Sequence, residues 1–209
     1  VQKVMWTLGE LGLEYQRHDV GGSFGYPDDY AALNPNPLVP AMVDGAVRMW
    51  ESNACVRYLA RTYGPGNLWP HDPVVLACAD QWMDWQATRL GPAFLPAFIQ
   101  LIRMPAEKRN QQAIEAGLES AATLYRMLDR HLGEHAFIAG ASFSMADIPL
   151  GPMTYRYFEM DIERPALPNV QAWFARLGER AAFRYHAMIP FGRNPQEWQQ
   201  EEERNAGLQ

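Results

Sequence analysis

Cysteine is scarce in this chain. Its 209 residues include only two cysteines, Cys55 and Cys78, and these form no Cys-x-x-Cys pair. Small secreted domains often depend on many cysteines, whereas proteins of reducing compartments rarely contain disulfides. The sequence therefore predicts a disulfide-free protein, and we expect it in the cytoplasm. No secretory signal peptide is visible, but Val1 already lies within a helical pattern, which leaves open that the true N-terminus lies upstream.

Excess positive charge and long apolar runs are absent as well. The chain has 18 Lys and Arg residues against 24 Asp and Glu, which gives a net charge of -6 and a pI near 5.4. Proteins that bind nucleic acids usually carry a basic patch, so the composition argues against a nucleic-acid partner. No apolar run approaches the roughly 20 residues of a membrane-spanning helix. A membrane protein is therefore not expected.

The chain is rich in core-forming residues and divides naturally into two parts. Hydrophobic residues make up 48% of it, and seven residues are tryptophans. Residues 64–73 contain the glycines, prolines and asparagine that are typical of a linker. We therefore predict a first domain at residues 1–63 and an all-helical domain at residues 74–192. Residues 193–209 are charged and rich in glutamine, and we expect them to form a frayed tail.

The clearest local signal is a β-hairpin. Asp44-Gly45 lies between apolar residues, and such a pair is the strongest short-range indication of a type I′ turn. We predict a buried first strand that begins at Pro40 and a second strand that ends at Trp50. A helix follows, because apolar residues then recur at helical spacing.

Two features beside this hairpin suggest a ligand site. The helix after the hairpin opens with Glu51-Ser52, and free amides with a hydroxyl at a helix start bind carboxylates or phosphates. Val39-Pro40 precedes the first strand, and an edge of this kind can pair with an extended ligand. Each feature also has an ordinary interpretation. Glu51-Ser52 could simply cap a helix, and Pro40 could be a trans proline that opens an edge strand. Together they predict two adjacent binding sites.

The combination of these motifs resembles a known enzyme family. Val39-Pro40, the hairpin and Glu51-Ser52 followed by ACVRYLA are similar to the glutathione-binding half of glutathione S-transferases. The opening VQKVMWTLGELGLEY is similar to helix one of bacterial enzymes near the nu and theta classes. The resemblance extends over nearly the whole chain. It implies an α/β, thioredoxin-like N-terminal domain, whose first strand would precede Val1, followed by an all-α C-terminal domain.

The resemblance also implies roles for site residues. Glutathione would be the co-substrate, with its γ-glutamyl carboxylate held by the Ser52 hydroxyl and the neighbouring amides, and its amino group held by Glu51. Pro40 would be cis, and the main chain of Val39 would pair with the cysteinyl part of glutathione. Relatives often carry a lysine, facing the glycyl carboxylate, where Leu38 stands here. We therefore expect either a modest affinity or a compensating cation.

The implied reaction is attack of the glutathione thiolate on an electrophilic, apolar small molecule. A free thiol has a pKa near 8.5, so the protein must favour the anion. In relatives, a Ser, Thr, Asn or Cys just before helix one does so. The catalytic residue is therefore expected just upstream of Val1. The alternatives are a glutathione-dependent isomerase, a disulfide-bond reductase, and a non-catalytic module that binds glutathione or a protein partner.

The remaining elements are predicted from periodicity and capping. Apolar spacing predicts a first helix that ends at Gly12, and residues 15–20 are predicted to form a strand. Ser144 and Asp147 have the spacing of a capping box and begin a helix. Gly91-Pro92 is expected to kink or interrupt the helix before it. The helices predicted in the second domain cover residues 77–90, 106–132, 144–158 and 168–180.

Three weaker patterns concern metals, a pocket and assembly. His131 and His135 are four residues apart but lie near a helix end, so we assign no metal. The resemblance, together with arginine-containing apolar helices at residues 57–61 and 82–89, leads us to expect a homodimer. Four aromatic residues line either a substrate pocket or the core: Trp82, Trp85, Phe94 and Phe98.

Overall fold

The computed structural model describes residues 1–206 and contains the two predicted parts. The N-terminal part comprises helix α1 (Gln2–Leu11), strands β1 (Ala41–Asp44) and β2 (Val47–Trp50), and helix α2 (Ser52–Tyr63). Gly12 ends α1 in the left-handed conformation with a φ of 63°, as predicted. None of the helices in residues 1–206 combines the length and the apolar character needed to cross a bilayer.

The hairpin forms, but its turn differs from the prediction. In the antiparallel register Asp44 lies opposite Val47, so the two central turn residues are Gly45 and Ala46. Gly45 has a positive φ of 57° and Ala46 does not. A type I′ turn needs a positive φ at both positions, whereas a type II′ turn has glycine at the first. The type I′ prediction is therefore wrong. The strands are also half-buried or exposed rather than buried.

Residues 15–20 do not form the predicted strand. Within residues 1–206 the sheet consists of β1 and β2 alone, so this segment has no neighbouring strand to pair with. A strand needs such a partner because its main-chain polar groups would otherwise lack hydrogen bonds. The segment instead runs towards a short 3-10 turn at Gly22–Phe24.

The C-terminal part is helical throughout, as predicted. Its elements are α3 (Pro73–Trp85), α4 (Gly91–Phe98), α5 (Gln111–Leu132), α6 (Asp147–Glu159), α7 (Pro168–Gly178), α8 (Ala181–His186) and α9 (Pro195–Arg204). Helix α3 begins earlier than predicted because the side chain of Asp72 caps it by accepting from the amide of Val74 (2.7 Å). Helix α5 begins later than residue 106 because Asn110 caps it in the same way, through the amide of Ala113 (3.0 Å).

Gly91-Pro92 does not interrupt the helical path. A π turn at Gln86–Leu90 joins α3 to α4, and a second π turn at Ile99–Arg103 follows α4. Residues at each junction keep right-handed helical angles. Proline lacks an amide hydrogen and clashes with the preceding turn, and the wider π turns provide a place where helices absorb such irregularities. The predicted end at Leu90 is therefore wrong.

Helix α9 lies within the segment that was expected to fray, of which residues 207–209 fall outside the described part of the chain. Asn194 caps α9 by accepting from the amide of Glu197 (2.9 Å), and Pro195 occupies the first turn, where proline is well tolerated. Trp198 anchors the helix, because its ring centre lies 5.9 Å from that of Phe98. Composition alone did not reveal this anchor. Trp198 thus holds a largely charged helix to the core.

The two parts share a continuous core. Trp6 of α1 is fully buried, and its ring centre lies 4.6 Å from that of Phe183 and 5.6 Å from that of Phe143. A Cβ atom at Gly151 would lie 2.6 Å from the Trp6 ring, so only glycine allows α6 to approach α1 this closely. This packing fixes the start of α1 against the helical part.

Asp147 organises the start of α6. Its carboxylate is fully buried and accepts from the amides of Ile138 (3.0 Å) and Ser144 (2.9 Å) and from Trp173 Nε1 (2.8 Å). Burial raises the pKa of Asp147 to about 6, and these donors oppose that rise. The capping box is confirmed, with one difference. The Ser144 hydroxyl accepts from the amide of Ala146 (3.3 Å) rather than from that of Asp147.

We expect Ser144→Ala to lower the free energy of unfolding by about 1 kcal/mol, the usual cost of losing a capping hydroxyl. Denaturant titration measures this change. Ser142→Ala is a suitable control, because Ser142 is exposed and should leave the transition unchanged. Equal unfolding midpoints for Ser144→Ala and wild type would contradict the capping role.

Candidate functional site

The loop before the hairpin contains a cis proline. The Val39–Pro40 peptide bond is cis, which confirms the expectation for Pro40 and excludes the trans alternative. The carbonyl oxygen of Leu38 accepts hydrogen bonds from the Tyr30 hydroxyl (2.7 Å) and from Asn34 Nδ2 (2.8 Å). Tyr30 and Asn34 are buried and therefore hold the inner side of this loop. Sequence reasoning missed both, because no motif marks them and their shared acceptor is created by the loop fold.

The main chain of Val39 has no partner within residues 1–206. None of its described neighbours donates to its carbonyl or accepts from its amide, although β1 begins only two residues later. An extended ligand can add to such an edge as a further strand. Beside it, the Leu38 side chain is 62% exposed and uncharged. This edge therefore offers main-chain hydrogen bonds but no cation at residue 38.

Helix α2 opens with unpaired amides. Its first internal hydrogen bond runs from the amide of Cys55 to the carbonyl of Glu51 (3.0 Å). The amides of Ser52, Asn53 and Ala54 have no acceptor among the described residues. The free amides and the dipole of a helix start attract anions, and the Ser52 hydroxyl adds a further donor. The start of α2 is therefore suited to a carboxylate.

Glu51 has an unusual backbone conformation. Its φ is 66° and its ψ is 108°, and it is the sole non-glycine residue with a positive φ within residues 1–206. Such conformations cost about 1–3 kcal/mol and cluster at functional sites. The Glu51 side chain is exposed and caps none of the helix amides. Its carboxylate is therefore available to a cationic group.

The hairpin register brings these features together. Ala41 lies opposite Trp50, so the Val39–Pro40 peptide and the start of α2 occupy the same end of the hairpin. A ligand in this place would meet a strand edge, a set of amide donors and one carboxylate. Two surface depressions, of about 470 and 600 Å³, lie elsewhere and contain none of the predicted site residues. The site is thus formed by a strand edge and a helix end.

A lysine lies directly behind the start of α2. Lys3 Nζ donates to Asn53 Oδ1 (3.0 Å) and to Gln86 Oε1 (2.8 Å), and Asn53 Nδ2 donates to the carbonyl of Met83 (2.9 Å). Burial lowers the pKa of Lys3 to about 8, with a further contribution from a nearby arginine. This network joins the site to the helical part. Asn53 and Gln86 lie 50 and 83 residues from Lys3 in sequence, so no motif could have indicated this network.

The other predicted candidates do not belong to this site. Trp82, Phe94 and Phe98 are buried in the core, and Trp85 is half-buried against it, so the aromatic stripe is mainly structural. His131 Nε2 donates to the carbonyl of Ile138 (2.8 Å). Within residues 1–206, no three His, Cys, Asp or Glu side chains are grouped as a metal site requires.

Neither cysteine is suited to act as a nucleophile. Cys55 is buried, and burial raises the pKa of its thiol to about 11. Burial also raises the pKa of Cys78. Because the thiolate is the reactive form, these two side chains have structural roles.

Comparison with known proteins gives a consistent result over both parts of the chain. The family "Glutathione S-transferase, N-terminal domain" matches residues 1–62, and "Glutathione S-transferase, C-terminal domain" matches residues 111–176. The chain is 39% identical over 194 residues to glutathione S-transferase GstB of Escherichia coli, covering 91% of this chain and 93% of that protein. It is 31% identical over 162 residues to glutathione S-transferase F13 of Arabidopsis thaliana, covering 74% of each.

A solved structure shows the same architecture. It is the theta class glutathione S-transferase of the citrus canker pathogen Xanthomonas axonopodis pv. citri with glutathione bound. The TM-score is 0.89 at 42% identity, with 92% of this chain and 93% of that chain covered. The likeness therefore includes both the hairpin part and the helical part.

Proposed function

This chain belongs to the glutathione S-transferase family and is a glutathione transferase with glutathione as co-substrate, and we propose that Val39, Pro40, Glu51 and Ser52 form its glutathione site. In this site the main chain of Val39 pairs with the cysteinyl part of glutathione. The Ser52 hydroxyl and the first amides of α2 bind the γ-glutamyl carboxylate, and Glu51 binds the γ-glutamyl amino group. The thiolate then attacks an electrophilic small molecule.

One observation carries this assignment. The unpaired main chain of Val39 and the unpaired amides of α2 lie at the same end of one hairpin. Glutathione has an extended backbone that can pair with the first, and a carboxylate at one end that suits the second. Charge-assisted hydrogen bonds to such a carboxylate are stronger than neutral ones. The two features therefore match two parts of the same tripeptide.

Titration calorimetry with two ligands tests the assignment. We expect wild-type protein to bind glutathione, and to bind cysteinylglycine at least tenfold more weakly, since that dipeptide lacks the γ-glutamyl group and its charge-assisted bonds. Equal affinity for the two ligands would overturn the assignment of α2 to the γ-glutamyl end. S-methylglutathione is the control, because it keeps both ends of the tripeptide.

We further propose that the protein is a cytoplasmic homodimer. Support comes from large apolar side chains exposed near the hairpin and on the adjoining helices, among them Val43, Tyr63 and the 75% exposed Val74. Trp82 adds nothing to this surface because it is buried in the chain's own core. We expect light scattering at micromolar concentration to give twice the 23.7 kDa mass of one chain. A mass of 23.7 kDa would refute the dimer.

The domain limits also stand as a proposal. We place a glutathione-binding domain at residues 1–63, a linker at 64–73, a helical domain at 74–192 and a C-terminal segment from 193. The linker is not a free tether, because Leu68 is fully buried and its carbonyl accepts from the amide of Met145 (2.9 Å). We therefore expect the two domains to unfold together.

A further inference from the structure

Two arginines meet on one aromatic ring close to the start of α1. The guanidinium carbon of Arg156 in α6 lies 5.1 Å from the ring centre of Phe98, and that of Arg103 lies 6.0 Å from the same centre. Arg103 also lies over the ring of Trp198 in α9, at 3.8 Å. Three helical segments thus place two positive charges side by side.

Arg156 has a neutral partner only. Its Nη2 donates to Gln2 Oε1 (2.8 Å), and Gln2 Nε2 donates to the carbonyl of Ala187 (3.1 Å), which orients the amide oxygen towards the arginine. No carboxylate in residues 1–206 forms an ion pair with Arg156, Arg103 or Lys3. Arg156 is nevertheless half-buried. A half-buried guanidinium without an anionic partner is an unusual arrangement.

The carboxylate that attracts Arg103 is hydrogen-bonded to another residue. Glu202 of α9 attracts Arg103 electrostatically. Its Oε2, however, accepts from the amide (3.0 Å) and the hydroxyl (2.5 Å) of Ser23, in the loop after α1. Arg103 is itself exposed to solvent and is therefore accessible to a ligand.

The positive charges repel one another. Burial and the charge of Arg103 together lower the pKa of Arg156 to about 10. Desolvated like charges destabilise a fold unless an opposite charge compensates them. A bound anion would remove this repulsion, whereas a neutral ligand would not.

We infer that Arg156 and Arg103 bind a carboxylate or sulfonate group on the electrophilic substrate. This inference rests on the proposed glutathione site. Gln2, the partner of Arg156, adjoins Lys3, whose ammonium group contacts Asn53 in the first turn of α2. The start of α1 therefore links Arg156 to the first turn of α2, where the proposed glutathione site lies. Guanidinium groups bind carboxylates and tetrahedral oxyanions through two parallel hydrogen bonds.

The substrate class is then an electrophile with an apolar body and an acidic group. For an aryl chloride of this kind, the glutathione thiol loses its proton to solvent and the sulfur forms a bond to the ring carbon that carries chlorine. The carbon–chlorine bond breaks, and chloride leaves with the bonding electron pair. The arginines hold the acidic group and so position the ring, while the sulfur supplies the electrons.

Kinetics with a matched pair of electrophiles tests this inference. The probes are a chlorodinitrobenzoate and its methyl ester, which share a leaving group and differ in charge. The readout is the ratio of kcat/KM for the acid to kcat/KM for the ester. We expect Arg156→Gln and Arg103→Gln each to lower this ratio roughly tenfold to a hundredfold, the effect of one lost charge-assisted bond. Arg156→Lys should retain most of the ratio because it keeps the charge.

The control is Arg126→Gln, which removes an equal charge from the exposed side of α5 and should leave the ratio unchanged. An unchanged ratio in Arg103→Gln overturns the inference even where Arg156→Gln does not fold, because Arg103 is exposed. Calorimetry separates the two proposals. If wild type binds glutathione but the ratio is insensitive to both arginines, only the acidic-substrate inference fails. If wild type does not bind glutathione, the proposed glutathione site itself fails.

Discussion

Ser52→Ala is expected to weaken glutathione binding roughly tenfold to a hundredfold. The substitution removes one hydroxyl donor to the γ-glutamyl carboxylate, and hydrogen bonds to charged groups are worth roughly 1.5–3 kcal/mol. Glu51→Gln should cost a comparable amount, because it removes the charge that meets the γ-glutamyl amino group. Titration calorimetry measures both. With cysteinylglycine as ligand, the variants and the wild type should bind equally.

Glu51→Gly separates binding from stability. Glycine adopts a positive φ without the strain that Glu51 carries at 66°. We therefore expect this variant to unfold at a higher temperature than wild type while binding glutathione at least tenfold more weakly. If Glu51 instead supported the fold, Glu51→Gly would lower both the unfolding temperature and the affinity for glutathione. Unchanged glutathione affinity in Ser52→Ala and in both Glu51 variants would show that the start of α2 does not bind the γ-glutamyl group.

Asp147→Ala is expected to lower the free energy of unfolding by about 3–5 kcal/mol. The substitution leaves the amides of Ile138 and Ser144 and the indole Nε1 of Trp173 without their acceptor, and unpaired buried donors are costly. For a chain of this size, the thermal midpoint should fall by about 10 °C. Scanning calorimetry or denaturant titration measures the change.

Two variants serve as controls for Asp147. Asp147→Asn keeps one acceptor oxygen but points an NH2 group towards a donor. Its free energy of unfolding should therefore lie between that of wild type and that of Asp147→Ala. Asp161→Ala removes a carboxylate from a side chain that is 95% exposed and should have little effect. If Asp147→Ala unfolds at the same denaturant concentration as Asp161→Ala, the buried network does not stabilise the helical part.

Much of the candidate site could be predicted from a short stretch of sequence. Residues 34–63 contain the turn glycine, the proline and the helix start in direct succession, and each acts through local backbone chemistry. The hairpin and α2 therefore follow from neighbouring residues, as does the capping box of Ser144 and Asp147. The turn type was predicted wrongly because Gly45 occupies the first central position rather than the second.

Prediction failed where an element depends on distant partners. Residues 15–20 have the composition of a strand but no described strand beside them. The charged segment after residue 193 has the composition of a frayed tail, yet Trp198 packs on Phe98 and Glu202 binds Ser23. Composition describes what a segment can form alone, whereas these outcomes depend on what lies next to it after folding.

The sequence by itself therefore determined the two-part architecture and most helix positions, because turns, caps and periodicity act between residues close in the chain. The four residues of the proposed glutathione site were predicted from the same local motifs together with their family resemblance. Tertiary structure alone decided which polar and charged side chains come into contact. Lys3 reaches Gln86 across 83 residues of sequence, and Arg103 and Arg156 share the ring of Phe98. Such encounters depend on how α1, α6 and the segments around α4 pack together, and packing is a property of the whole core.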